Sequence, residues 1–562
     1  MEIGLIEAMP TYAGGLGILA GDTVRAAADL EIPMIVVTLL HRKGYFRQRL
    51  DASGAQTEEP ASWPVSELLL ETDARCAVEI EGRTVNLRAR KYEVKGVNGY
   101  VVPVYFLDAA LAENSEWDRA LTDYLYGGDE HYRLCQEIIL GIGGVRMLRA
   151  LGYGDAKRYH MNEGHAALLT LELAHELAHQ AWELAYEPVN PVVNPEFVHL
   201  IRHKCVFTTH TSVPAGHDKY PLDMVHRVLT DYHGAFDELE KEFCPDGVLN
   251  LTSLAVDNSH YINGVAKRHG AVTQQMFAEY KIDSITNGIH IATWASKPMA
   301  EIFDRHIPGW REDSTSLRYA LKIPKKEIWQ AHRQSKQNLF EQVNRTNSVG
   351  MDPDVFTIGF ARRAAVYKRA DLLFLDGARL TGIAARSGSF QIIYAGKAHP
   401  QDQAGKDIIR HLYQIKDALK DKIKIVYLEE YDMDLAKTLI AGVDLWLNTP
   451  QPPLEASGTS GMKAAINGVP SLSVLDGWWG EGCIEGVTGW AIGHDEGSLA
   501  SQDDRAEDAH SIYNKLEMII LPMFYDETGR YAEVMRSAIA LNGSFFNTQR
   551  MLSQYVAKAY FK

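Results

Sequence analysis

The run Glu455-Ala456-Ser457-Gly458-Thr459-Ser460-Gly461-Met462-Lys463 gathers small residues and a single amine at a point where a helix should begin. Gly458 and Gly461 let main-chain N–H groups approach an anion closely, and Ser457, Thr459 and Ser460 add hydroxyl donors. A helix start contributes its dipole and its unpaired donors. About one turn inside, apolar burial would lower the pKa of Lys463 toward the neutral amine that attacks an aldehyde. The run therefore suits a phosphate and an aldehyde together. Its helix is expected to run through Met462-Lys463-Ala464-Ala465-Ile466-Asn467 and to stop at Gly468.

A second cluster lies in Gly359-Phe360-Ala361-Arg362-Arg363-Ala364-Ala365-Val366-Tyr367-Lys368-Arg369, an apolar strand that ends in cations. Arginine offers permanent, bidentate recognition of a tetrahedral dianion, and lysine a mobile point charge. Gly14-Gly15-Leu16-Gly17 reads as a tight turn before a helix over Gly21 to Ala28. Two histidine segments, His160-Met-Asn-Glu-Gly-His165 and His210-Thr-Ser-Val-Pro-Ala-Gly-His217, lack the spacing of a helical zinc site, and no third ligand is evident. They are read as hydrogen-bonding groups, with no metal.

The elements that must position these residues alternate along the whole chain. Strand candidates are Met34 to Leu40, Val101 to Leu107, Val206 to Thr209, Thr357 to Ala361, Phe390 to Ala395, Ile423 to Leu428, Leu445 to Asn448 and Pro470 to Leu475, with amphipathic helical patterns between them. That alternation predicts an α/β protein with parallel sheets, whose ligands bind beyond the carboxyl ends of the strands. A length of 562 residues suits two large domains or three. A net charge of −16 argues against nucleic-acid and anionic-membrane partners, and the apolar stretches are strand-length, too short to span a bilayer. No signal-peptide pattern opens the chain, so the cytoplasm is the expected location. Five dispersed cysteines without C-x-x-C spacing are read as reduced thiols.

At Glu455–Lys463 the chain resembles the α-glucan phosphorylases, the family of glycogen, starch and maltodextrin phosphorylases, in which the lysine of E-A-S-G-T-x-x-M-K carries pyridoxal phosphate (PLP). Several other segments match that family in its order. The resemblance implies that Arg363 and Lys368 bind substrate phosphate, and that Arg362 lies near the cofactor phosphate with Thr459, Ser460, Gly461, Tyr431, Trp294 and Gly15 around the cofactor. It further implies that Gly14, Gly15 and Leu16 face the phosphates and the sugar, and that Asn287 of Thr286-Asn287-Gly288-Ile289, with Glu455, Ser457 and Gly458, binds glucose. His260, in Ser259-His260-Tyr261-Ile262-Asn263-Gly264-Val265-Ala266, is expected to line the glucosyl subsite as a catalytic group. Asp432 stands where large members often carry arginine, which removes a cation from the cofactor's surroundings.

What the resemblance implies for the whole protein is a glycosyltransferase-B fold, two doubly wound Rossmann-like domains facing across a cleft. The boundaries expected are 1–288, 289–543 and a terminal helix over 544–562 that crosses back to the first domain. In that last segment Phe546, Met551, Tyr555, Val556 and Tyr560 fall broadly on one helical face. The chain starts almost inside its first motif, which suggests a short, constitutive form. The implied reaction is reversible phosphorolysis of α-1,4-glucan by orthophosphate to α-D-glucose 1-phosphate, with retention and without a carboxylate pair. In it, orthophosphate protonates the glycosidic oxygen and the phosphate of PLP returns a proton. Homodimerisation is the family expectation. Two readings stay open on the sequence: a nucleotide-sugar-dependent glucan synthase, suggested by Trp478-Trp479-Gly480-Glu481-Gly482, and a catalytically silent glycan-binding paralogue.

Overall fold

Six short strands after residue 350 pair in parallel in the spatial order Ile425–Leu428, Phe390–Ala395, Phe356–Ala361, Leu445–Asn448, Ser471–Val474, Gly489–Ile492. In chain order these are the third, second, first, fourth, fifth and sixth, so the winding reverses between Phe356–Ala361 and Leu445–Asn448. Loops leaving those two neighbours diverge and open a crevice at their carboxyl ends. The first five strands of the series are buried at every position, as expected where both faces of a sheet are covered. The computed structural model describes residues 1–185, 195–213, 216–230, 244, 246–347, 349–493, 504–526 and 528–561; Pro214 and Ala215 of the second histidine segment lie outside them.

The first half of the chain is more varied than its expected parallel pattern. Ile282–Ser284, Tyr261–Gly264, Cys205–Thr208 and Tyr159–Asn162 form one parallel sheet in that spatial order. In a second sheet Val36–Leu39 pairs in parallel with Val101–Asp108, but Leu70–Ile80 and Arg83–Lys95 add antiparallel. The cause is local. Glu81 and Gly82 both take positive φ, the geometry of a primed two-residue hairpin turn, which leaves no room for a crossover. A separate hairpin pairs Arg47–Leu50 with Gln56–Glu59.

Among the described residues, buried apolar side chains fall into three clusters. One runs from Ile289 to Phe546 and includes Ile18 from upstream. Two others draw on residues 1 to 285, and one of these takes in Met551, Leu552, Tyr555 and Ala559 from the end of the chain. The last helix, Thr548–Tyr555, continued by Val556–Tyr560, thus returns to the first half. There the Tyr555 hydroxyl meets Thr208 Oγ1 at 3.1 Å and accepts from Asn263 Nδ2 at 3.0 Å, and Lys558 pairs with Asp283 at 2.9 Å. Phe546 departs from the expected face. It precedes the helix and packs on Trp478, with ring centroids 4.9 Å apart. Among the described residues, no helix is long and apolar enough to cross a membrane.

Candidate active site

At the crevice of the six-stranded sheet the chain passes from Phe356–Ala361 directly into Arg362 and Arg363, and the turn Val366–Lys368 brings Lys368 back toward the same point. Arg362 Nη2 and Lys368 Nζ both donate to Glu455 Oε2, at 2.6 and 2.5 Å. Burial alone would raise the Glu455 pKa, but the two cations outweigh it and hold it at about 2. Two positive charges therefore share one negative charge. Arg363 stands apart, reached by solvent, and forms no ion pair with any described carboxylate. Burial would push the neighbouring Tyr367 phenol up, yet Lys368 and Arg363 outweigh that and leave it below its ordinary value. Arg362 Nη1 is buried without a hydrogen-bond partner. A buried donor without a partner costs stability unless a ligand acceptor meets it.

The helix expected over Met462–Asn467 forms as Ser460–Ile466, with Gly468 in the left-handed region just beyond it. Lys463 is 6% exposed, and its amine lies 3.7 Å from the centroid of the Trp294 ring. Burial lowers its pKa to about 8; Asp22 opposes the shift and Arg25 adds to it. Asp22 accepts the Trp294 indole N–H at 2.7 Å and pairs with Arg25 at 3.1 Å, so this amine faces a side chain already engaged. Ser457 Oγ is buried and unpartnered, whereas the Ser460 hydroxyl accepts from Trp446 Nε1 at 3.1 Å. Gly461 serves packing more than anion approach, since a Cβ there would come within 2.7 Å of the Trp478 ring. Tyr431 is half-buried; burial pushes its phenol up, and Arg362 acts against that. Asp432 caps the helix Met433–Gly442 by accepting from Leu435 N at 2.8 Å.

The glycine run is the first turn of a helix, Gly15–Asp29, and not a turn ahead of one at Gly21. A Cβ at Gly14 or Gly15 would meet nothing within 4 Å, so both present bare backbone to open space, and the half-buried Leu16 sits beside them. The same helix delivers Asp22 and Arg25 to Lys463. The carboxyl ends of the four-stranded parallel sheet carry Asn162, Glu163 and His210, with His210 hydrogen-bonded to the other two, and Asn287 follows the strand Ile282–Ser284. Asn287 is held by its backbone, its N–H donating to Val265 O at 3.0 Å and its carbonyl accepting from Arg550 at 3.0 Å, while its buried Oδ1 has no partner. His210 Nε2 lies 2.7 Å from Asn162 Oδ1, and burial, with His269 and other histidines nearby, takes its pKa down to about 3. It is a neutral imidazole throughout the ordinary pH range.

His260 is not brought to this group. It precedes the strand Tyr261–Gly264 and donates its N–H to Cys205 O, at the amino end of the sheet. Asn287 lies beyond the carboxyl ends, about 13 Å of strand away. The parallel pairing of this strand with Cys205–Thr208 makes that separation unavoidable, and it is His210 that emerges at the carboxyl end. The available signal was position after a strand, which favours His210 over His260. Asp22 was missed because a lone acid inside a helix carries no pattern. Glu137, His165 and Asp218 also cluster closely enough for a metal, but Arg133 already donates to all three, at 3.2, 3.1 and 3.1 Å.

A family model described as carbohydrate phosphorylase matches residues 244–481. Over its full length the chain is 39% identical to a maltodextrin phosphorylase of Thermococcus litoralis, covering 70% of that protein. It is 34% identical to a glycogen phosphorylase of Aquifex aeolicus, again over its full length and covering 85% of the relative. An uncharacterized protein of Methanocaldococcus jannaschii is 31% identical and is covered over 98% of its length.

Proposed function

Because the chain belongs to the carbohydrate phosphorylase family, we propose that it is an α-1,4-glucan phosphorylase, an enzyme that releases α-D-glucose 1-phosphate from glucan and orthophosphate reversibly and with retention. The observation that carries the reading is the buried Lys463 amine, lowered to about 8 and facing an aromatic ring with no acceptor on it among the described residues, beside an arginine whose inner Nη1 has no partner among them. That combination fits a resident aldehyde bearing a phosphate.

The site has room in its chemistry for PLP: Lys463 would anchor it, Trp294 and Tyr431 would flank it, and Arg362 with the backbone at Thr459, Ser460, Gly461 and Gly15 would take its phosphate. When bound, PLP supplies a second phosphate next to the substrate's, an acid–base group with no need of its ring. Arg363 and Lys368 hold orthophosphate as it gives up a proton to the departing glucan oxygen, and their fixed charges stabilise the anion that results. Asn287 Oδ1 and Ser457 Oγ, polar, buried and free, accept or donate to sugar hydroxyls. Glu455 remains ionised and keeps Arg362 and Lys368 at a set spacing. Gly14 and Gly15 leave the sugar's approach unobstructed.

The domain division that goes with this reading is 1–288, 289–543 and a returning helix over 544–562, in the two-domain glycosyltransferase-B arrangement; the segregation of the apolar clusters supports it. A cytoplasmic homodimer is the corresponding expectation. The test is a phosphate-dependent assay of glucose 1-phosphate release from glucans of several lengths, with and without added PLP. Release that needs no phosphate, or that proceeds from a nucleotide sugar, ends the proposal. A contrast between histidines adds to it. His210→Ala lowers kcat/KM by about 10- to 100-fold through lost hydrogen bonding in the sugar pocket, while His260→Ala stays within about twofold of wild type. Equal losses in steady-state kinetics would place the sugar at the wrong end of the sheet.

A further inference from the structure

The hairpin formed by Arg47–Leu50 and Gln56–Glu59 reaches across to the crevice of the six-stranded sheet with two buried amides. Gln48 is 0% exposed and Gln56 7%. Gln48 Nε2 donates to Gln56 Oε1 and to Gly396 O, both at 2.9 Å, while its Oε1 accepts from Glu430 N at 3.0 Å. Gln56 Nε2 donates to Ala398 O at 2.9 Å and to Glu58 Oε1 at 2.7 Å, and its Oε1 also accepts from Ala398 N at 3.0 Å. All four amide N–H bonds are used, and both oxygens accept. A buried polar pair this fully satisfied specifies geometry more sharply than an apolar contact of equal size.

What the pair grips decides its meaning. Gly396 lies directly behind Arg362: a Cβ at Gly396 would fall 1.9 Å from Arg362 O, and its φ of +148° is one that side chains rarely adopt. The loop that follows the strand Phe390–Ala395 is laced to the cation loop by Arg362 N to Ala395 O at 3.2 Å and Ala364 N to Lys397 O at 2.9 Å. Glu430, the other residue held by Gln48, has positive φ and immediately precedes Tyr431. Lys397 ties the same two loops from the side, donating to Glu430 Oε1 at 2.6 Å and to the carbonyl of Phe46, just before the hairpin, at 3.1 Å.

We propose that Gln48 and Gln56 are positioning residues that hold the Arg362–Arg363 loop and the Tyr431 loop at the separation needed for phosphate binding. Neither amide touches the phosphate; each acts through the backbone of residues 396–398 and 430. The proposal rests on the assignment of Arg363 to orthophosphate.

The experiment compares wild type, Gln48→Met, Gln56→Met and Arg363→Ala as holoenzymes, by phosphorolysis kinetics with phosphate and glucan varied separately and by calorimetric titration with inorganic phosphate. Both methionine variants are expected to raise the phosphate KM and the calorimetric Kd by about tenfold, with glucan KM within about twofold of wild type. A purely structural role would move both KM values or neither, and either pattern overturns the proposal. So does unfolding of both variants. If Gln48→Met alone fails to fold, Gln56→Met decides. Loss of phosphate binding in Arg363→Ala with unchanged binding in the methionine variants overturns the positioning role alone, whereas normal binding in Arg363→Ala overturns the assignment beneath it.

Discussion

Lys463→Ala abolishes phosphorolysis, lowering kcat by at least about a thousandfold, in a protein that still folds. Burial has already carried this lysine toward neutrality, and truncation removes the anchor without removing an ion pair among the described residues. Wild-type turnover in this variant, with no bound PLP by absorbance, would refute the role. The same residue gives a stability signature free of activity. Its pKa is about 8 in the folded protein against 10.5 as the ordinary value, so the folded state binds fewer protons than the unfolded between those limits. Protein prepared without cofactor must therefore gain stability as pH rises from about 8 to 10.5, and below about 8 it bears the full cost of a buried ammonium. That cost is about 3 kcal/mol. Lys463→Met keeps the bulk and removes the charge. Near pH 7 it should unfold at higher urea than cofactor-free wild type, and the advantage should shrink toward pH 10. A gap independent of pH would mean the amine is solvated.

Arg363→Ala raises the KM for orthophosphate about 10- to 100-fold while leaving the glucan KM nearly unchanged. A charge-assisted contact to a dianion is worth about 1.5–3 kcal/mol, and no described carboxylate competes for this guanidinium. Lys in its place should recover only part of the loss, because an ammonium cannot make the bidentate contact. Lys368→Ala would be harder to read, since it also strips Glu455 of one of its two cations and lets that carboxyl rise from about 2. Saturation kinetics with phosphate varied at fixed glucan check the claim. An unchanged phosphate KM in Arg363→Ala would assign the anion elsewhere.

Eight of the eighteen strands among the described residues are legible in the chain: Phe390–Ala395 and Leu445–Asn448 form at their expected bounds, and the other six candidates shift by one or two residues at one or both ends. Unbroken apolar runs bounded by loop residues can only be buried strands here, so periodicity suffices. The antiparallel pair Leu70–Ile80 and Arg83–Lys95 was not foreseen, because half its positions face outward and its alternation is diluted by charge. The segments around Tyr159–Asn162 and Tyr261–Gly264 read as motifs and not as strands, so the sequence alone does not show that His260 stands before its strand and not after it.

The amino-acid sequence by itself determines what each strand end can do: cations at Arg362, Arg363 and Lys368, an amine among small residues at Lys463, bare backbone at Gly14 and Gly15. Those properties are local, set by a few consecutive residues and the strand before them. Tertiary structure alone decides which ends meet. Asp22 reaches Trp294 across 272 residues of chain and Gln48 reaches Gly396 across 348. Such contacts depend on strand order, direction and packing angle, and no stretch of neighbouring residues encodes them.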